Sequence, residues 1–267
     1  MQYALFLPLF DALAEPTVVA ALAAEAEEAG WDGVFVWDHV GYSAPVEAIA
    51  DPWVTLAAMA CATSRIRIGP MITPVPRRRP VKLAREVATL DRLSGGRTVL
   101  GVGIGDDGAG EFSGTGEELD PRTRGAMLDE GLTVLTAAWS GDVVHHRGRH
   151  YVLDGLAIRP TPVQQPHPPV WVGLRYGNRA PLRRAARHQG MFPIGVDSPD
   201  QLRAVVADVL ALRDPAAGEL DVVVGGPIGT DPQPFAQAGA TWWATRFSPY
   251  DIRADAVREV LRAGPPR

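Results

Sequence analysis

One imidazole beside an indole is the clearest candidate for proton chemistry in this chain: Trp37-Asp38-His39 ends a short apolar run, Gly33–Asp38. Histidine gives and takes protons near neutral pH, and a neighbouring carboxylate can orient its ring. Asp38 is the expected orienting group. A second constellation, Arg175-Tyr176-Gly177-Asn178-Arg179, joins an apolar run (Pro169–Leu174) to a helical pattern (Arg179–His188). Free backbone N–H groups, a helix dipole and two guanidiniums at such a junction suit a phosphate, although an ordinary capped turn reads the same way.

Gly103-Ile104-Gly105-Asp106-Asp107-Gly108 spells GxGxxG after an apolar run. A dinucleotide fingerprint must open a helix, whereas Glu111-Phe-Ser-Gly-Thr-Gly-Glu reads as loop and its acids repel a pyrophosphate. The glycines keep one use, close approach of backbone to a flat ligand, against plain turn chemistry. Arg77-Arg78-Arg79 reads as a solvated basic run that can also meet an acidic cofactor tail or substrate. His145, His146 and His150 fall on a hairpin pattern and read as exposed polar residues rather than zinc ligands.

These residues must be positioned by a repeated unit. Apolar runs alternate with helical patterns eight times, from Tyr3–Pro8 with Thr17–Ala29 to Thr241–Phe247 with Asp251–Ala263. Asp51-Pro52, Asp120-Pro121, Ser198-Pro199 and Asp231-Pro232 place a capping side chain before a helix-starting proline. Glycines at 30, 95, 96, 190 and 239 mark the returns from helix to strand. Runs such as Val34-Phe-Val-Trp37 are apolar throughout, as parallel strands covered by helices require. The expected fold is therefore α/β, a (β/α)8 TIM barrel forming a single domain over 1–267, with a hairpin excursion between the fourth helix and the fifth strand. The chain's 267 residues are 46% hydrophobic and 21% charged, which excludes disorder. A net charge of −5 and the lack of a long apolar run argue against nucleic-acid and membrane partners, and a cytoplasmic location is expected. Cys61, the single cysteine, is expected as a small buried hydrophobe in an apolar helix. In a barrel, chemistry collects at the C-terminal strand ends. Asp38, His39 and Asp106 would there serve a metal-dependent hydrolase, but the first strand lacks the His pair usual in such barrels, and no metal is expected.

Gly33-Val-Phe-Val-Trp-Asp-His39, Ile68-Gly-Pro-Met-Ile-Thr-Pro74, Leu93-Ser-Gly-Gly-Arg-Thr-Val-Leu-Gly-Val-Gly103 and Pro169-Val-Trp-Val-Gly173 resemble, in order and spacing, the bacterial luciferase-like flavin-dependent oxidoreductases. The resemblance runs from residue 1 to about 213 and implies FMN or the deazaflavin coenzyme F420 at the barrel mouth. It implies that Trp37, Asp38 and His39 stand beside the ring, with His39 handling a proton or orienting substrate. It places a non-prolyl cis peptide at Met71-Ile72, under the ring. Thr73, Gly103, Ile104 and Gly105 would line the ring and ribityl chain, and Gly173 with Arg175, Tyr176, Gly177, Asn178 and Arg179 would hold the phosphate. Larger members insert a covering segment after strand seven; here the cover is either missing or supplied by the Gly105–Asp120 loop and the hairpin. Lys82 is the only lysine and Asn178 the only asparagine, a usage that fits a GC-rich source and favours F420 over FMN. The expected activity is hydride transfer or monooxygenation of a small organic substrate, with a homodimer possible by family analogy. A non-catalytic flavin-binding protein is the remaining alternative.

Overall fold

The computed structural model describes residues 1–177 and 181–266. Nine parallel strand segments form one sheet, ordered β3-β2-β1-β11-β10-β9-β8-β5-β4, and helices cover its outside. The strands are β1 (Gln2–Leu7), β2 (Gly33–Val36), β3 (Arg67–Pro70), β4 (Thr73–Pro74), β5 (Leu100–Gly103), β8 (Val170–Arg175), β9 (Gly190–Ile194), β10 (Asp221–Pro227) and β11 (Trp242–Arg246). Met71-Ile72 separates β3 from β4, which together make the third strand position of a barrel with eight. The sheet closes where Ile68 bridges Thr98 and where β4 pairs with β5 through Thr73 and Val102. The main helices are α1 (Pro16–Glu28), α2 (Pro52–Ala62), α3 (Pro80–Leu93), α4 (Pro121–Trp139), α6 (Pro199–Leu210) and α8 (Ala254–Ala263), with short α5 (Leu182–Ala185) and α7 (Gln233–Gln237). No helix among the described residues is long and apolar enough to cross a membrane.

Three of the four capping signals work as the sequence suggests; at the fourth, Pro232 is itself the N-cap of the short helix Gln233–Gln237, and Asp231 accepts from the Gln233 N–H at 2.9 Å. Asp51, Asp120 and Ser198 accept from the backbone N–H of Val54, Thr123 and Gln201, each before a proline at the first helical turn. Gly190 is different, because its φ is not positive and it opens β9 instead of ending a helix. A Cβ there would collide with the indole of Trp171, so the glycine makes room for a core side chain. Cys61 is exposed on α2, contrary to expectation. It falls on the outer side of the helix, whose buried positions are Pro52, Trp53, Thr55, Leu56, Met59 and Ala60.

The hairpin forms as β6 (Val143–Arg147) against β7 (Val152–Ala157), antiparallel with a bulge at Val144/His145. Val144, Tyr151 and Leu153 bury themselves on Val134 of α4, on the barrel's flank. That apolar anchor, with His146 on Glu130 at 3.0 Å, removes the hairpin as a cover for the mouth.

Alternation of side chains along each strand sorts two cores. The larger one lies between strands and helices. The smaller one fills the barrel itself, with Ala4, Phe6, Phe35, Met71, Val99, Trp171, Phe192, Val223, Trp242 and Ala244. Its floor is an aromatic plug in which the rings of Phe35, Trp171 and Trp242 stand 5.1–5.7 Å apart. Asp221 at the start of β10 accepts from both indoles, at 3.1 and 3.3 Å. The plug leaves the upper barrel, at the C-terminal strand ends, as the place where a ligand can enter.

Candidate active site

Trp37, Asp38 and His39 leave the end of β2 in three directions. The indole of Trp37 packs on Phe6 and Phe10, with ring centroids 5.4 and 5.7 Å away, and floors the mouth. Asp38 turns inward and is 3% exposed. Its carboxylate accepts from Thr73 Oγ1 at 2.8 Å, Arg77 Nη2 at 3.0 Å and Arg78 Nη2 at 2.8 Å. The ring of His39 stands 5.7 Å from Trp37 and 5.1 Å from Tyr42.

Asp38 does not orient His39. That role falls to Glu111, from the acidic loop after β5, whose Oε2 lies 2.8 Å from His39 Nδ1. Its Oε1 accepts from Arg77 Nη1 at 2.8 Å and from the backbone N–H of Val40 at 2.6 Å. Burial pushes the Glu111 carboxyl up, but the His39 hydrogen bond and charge, the Val40 N–H and Arg77 together outweigh it and hold the group at about 2. A carboxylate can only accept, so Nδ1 of His39 is the donor and Nε2 is left without a partner among the described residues. An imidazole held in this way presents one free nitrogen to whatever fills the mouth.

Arg77 and Arg78 are not a solvated run. Arg77 bridges Asp38 and Glu111, its side chain 6% exposed, and Arg78 closes on Asp38. Two carboxylates and two guanidiniums cancel there, because unpaired charge is costly to bury. The loop is pinned as well, since Asp107 accepts from the backbone of Phe112 and Ser113, and Arg124 lies 4.5 Å over the Phe112 ring. Gly105, at φ +76°, lets Phe112 pack where a side chain would collide with it. This loop therefore stands over the His39 side of the mouth.

Met71-Ile72 is a cis peptide between two non-proline residues, as the resemblance implies. Met71 is buried in the barrel core, and Ile72 enters the upper barrel. Its Cδ1 occupies the space that a Cβ at Gly103 or Gly173 would need. Those two glycines thus serve first to admit Ile72. Thr73 is buried with its hydroxyl committed to Asp38, and the carbonyl of Ile104 is 3.4 Å from Arg124.

Arg175 ends β8 opposite Ile194, and its guanidinium has no partner among the described residues. The N–H of Tyr176 donates to the Ile194 carbonyl at 2.8 Å, and Gly177 turns at φ +85°. Asn178 and Arg179 lie outside the described residues. The mouth accordingly offers an apolar floor of Phe6, Trp37, Ile72 and Phe192, one polar wall at His39–Glu111, and at the end of β8 a cation with no partner among the described residues. Such a set fits a flat heterocycle with an anionic tail. The sequence reading missed Glu111, although its place in the loop after a barrel strand was a usable signal.

The model of the family described as luciferase-like monooxygenase matches residues 4–250. The chain belongs to this family. It is thereby an enzyme of the luciferase-like oxidoreductase and monooxygenase type. Among solved structures it is similar to a coenzyme F420-dependent tetrahydromethanopterin reductase from Methanopyrus kandleri, with TM-score 0.78 and 17% identity over 98% of this chain and 97% of that one. The monooxygenase RslO1 from Streptomyces bottropensis gives TM-score 0.77 and 20% identity, covering 98% and 97%. An F420-dependent secondary alcohol dehydrogenase gives 0.75 and 21%, covering 97% and 84%. At these identities the likeness speaks to the fold alone.

Proposed function

We propose that this luciferase-like enzyme binds F420 at the barrel mouth and passes a hydride to or from a small organic substrate. The observation that carries the reading is the His39–Glu111 pair facing an apolar floor, with Arg175, which has no partner among the described residues, at the rim. The bound deazaflavin would supply the hydride chemistry, and the protein supplies positioning and charge. Trp37 and Ile72 would face the ring, and Arg175, with Asn178 and Arg179, would bind the phosphate. Asp38, itself held by Thr73, pairs with Arg77 and Arg78, and through Arg77 and Glu111 acts on the ring's surroundings by way of the loop.

His39 would do the proton work. Its Nδ1 is tied to Glu111, so proton exchange with substrate falls to Nε2. Glu111 is a positioning residue that fixes the ring and offsets its charge. Two of the similar structures are F420-dependent enzymes, which supports the deazaflavin reading. RslO1 and the family description favour monooxygenation, and a similar Baeyer-Villiger monooxygenase from Pseudomonas putida in complex with FMN supports FMN as the cofactor of that second reading. Stopped-flow reduction of F420 by an alcohol panel, set against NADH- and oxygen-dependent turnover with FMN, separates the two. Turnover with neither cofactor overturns both.

A further inference from the structure

The alternation that sorts the barrel core also sends two arginines into the mouth. On β11, Trp242 and Ala244 belong to the barrel interior, so Arg246 rises on the same side at the strand's end. On β8, Trp171 is interior and Gly173 meets Ile72, so Arg175 does the same. Both residues are exposed, and neither has an ion-pair or hydrogen-bond partner among the described residues. The other cations near His39 are committed, Arg77 and Arg78 being neutralised by Asp38 and Glu111.

Arg246 has a built seat. Its stem lies across Gly225, the inward residue of β10 that pairs with Ala244. A Cβ at Gly225 would stand 2.8 Å from the Ala244 carbonyl oxygen, 3.1 Å from Arg246 Cγ and 3.2 Å from Cδ, so the missing side chain makes room both for the backbone of β11 and for the stem. β9 and β10 separate β11 from β8, which puts the two guanidiniums on different sides of the rim. β9 and β10 pair only at Asp221–Gly190 and Val222–Met191, so the wall parts between them towards the mouth, one strand away from β11. The rim there is apolar: Val40, Ile228 and Tyr250, following β2, β10 and β11, are each at least half exposed.

We infer that Arg246 is a specificity-determining residue that recognises an anionic group, such as a carboxylate, on an otherwise apolar substrate. This rests on the reading in which Arg175 belongs to the cofactor phosphate. An unpaired guanidinium over an apolar rim gains a charge-assisted, two-pronged hydrogen bond from a carboxylate that an alcohol cannot provide. Arg246 has no such partner among the described residues.

Titration calorimetry on the purified protein, with and without saturating cofactor, uses octanoate, 1-octanol and octylammonium as probes. Octanoate should bind the wild type about tenfold or more tightly than 1-octanol, since the alkyl contacts are shared and only the charge differs. Arg246→Gln should erase that preference, Arg246→Lys should keep much of it, and Arg246→Glu should transfer it to octylammonium. An octanoate preference that is absent from the wild type, or that survives in Arg246→Gln, overturns the inference. So does a variant that loses F420 affinity while keeping the octanoate preference, because Arg246 would then serve the coenzyme's acidic tail. Failure of the wild type to bind either cofactor would sink the proposed function instead, and the octanoate comparison would still judge Arg246.

Discussion

His39 Nδ1 and Glu111 Oε2 lie 2.8 Å apart although 72 residues separate them in the chain. One comes from the end of β2 and the other from the loop after β5, so the barrel itself makes the pair. His39→Ala should lower turnover by about tenfold or more, the lower end of what a positioned acid–base group contributes. Cofactor affinity should stay within about twofold, since phosphate contacts supply it from elsewhere. Steady-state kinetics beside a binding titration check this, and normal turnover with weakened cofactor binding would make His39 a ring contact only.

Glu111→Gln tests positioning. Removing the carboxylate leaves Arg77 with only Asp38, so stability should fall by about 3 kcal/mol, the lower end for a broken buried pair. Turnover should fall nearly as far as in His39→Ala, with the loss in kcat rather than KM. Urea unfolding and kinetics on the folded fraction separate the two effects. If Glu111→Gln lowers stability but leaves kcat intact, the carboxylate only holds the loop.

Gly173 and Ile72 should be coupled. A methyl at Gly173 overlaps Ile72 Cδ1, so Gly173→Ala should cost about 1–3 kcal/mol, typical of overpacking. Ile72→Ala in the same chain should recover part of that cost, which denaturant midpoints of the double-mutant cycle measure. Additive losses would mean that Ile72 does not fill the space between β5 and β8.

Arg175→Ala should weaken F420 or FMN binding by more than about tenfold, because a charge-assisted bond to phosphate contributes about 1.5–3 kcal/mol. Riboflavin, which lacks the phosphate, should be little affected. Equal losses for FMN and riboflavin would move the phosphate away from β8.

Acid stability gives an independent check on the barrel's flank. Burial, then the charges of Arg187, His167 and Arg184, push the His188 imidazole down to about 4. The unfolded chain takes up this proton near its ordinary value of 6.5 while the folded protein refuses it. Stability present above pH 6.5 is therefore lost as pH falls towards 4, by at most roughly 2 kcal/mol after screening. His188→Gln should flatten thermal unfolding across that window, and an unchanged slope would show that other groups dominate it.

The barrel was legible because its signals are local. Capping residues before prolines, unbroken apolar strands and eight repeats each constrain a short stretch, and the structure keeps Asp51, Asp120 and Ser198 as caps. His39 was legible for the same reason, as a strand-end histidine. Its partner was not. Asp38 adjoins it in sequence, but successive residues leaving a strand point apart, and Asp38 turned to Arg77 and Arg78. The charge run looked solvated because its acids come from β2 and a distant loop. Arg246 was visible as a strand end, while its inward direction follows only from the register of β10 with β11.

Titration of the purified protein with F420 and with FMN, followed by absorbance and fluorescence, bears most directly on the claim that the mouth holds a deazaflavin. Saturable one-to-one binding of F420, tighter than that of FMN and weakened by Arg175→Ala, is the predicted result. Binding of neither cofactor, or F420 binding that Arg175→Ala leaves unchanged, would contradict it.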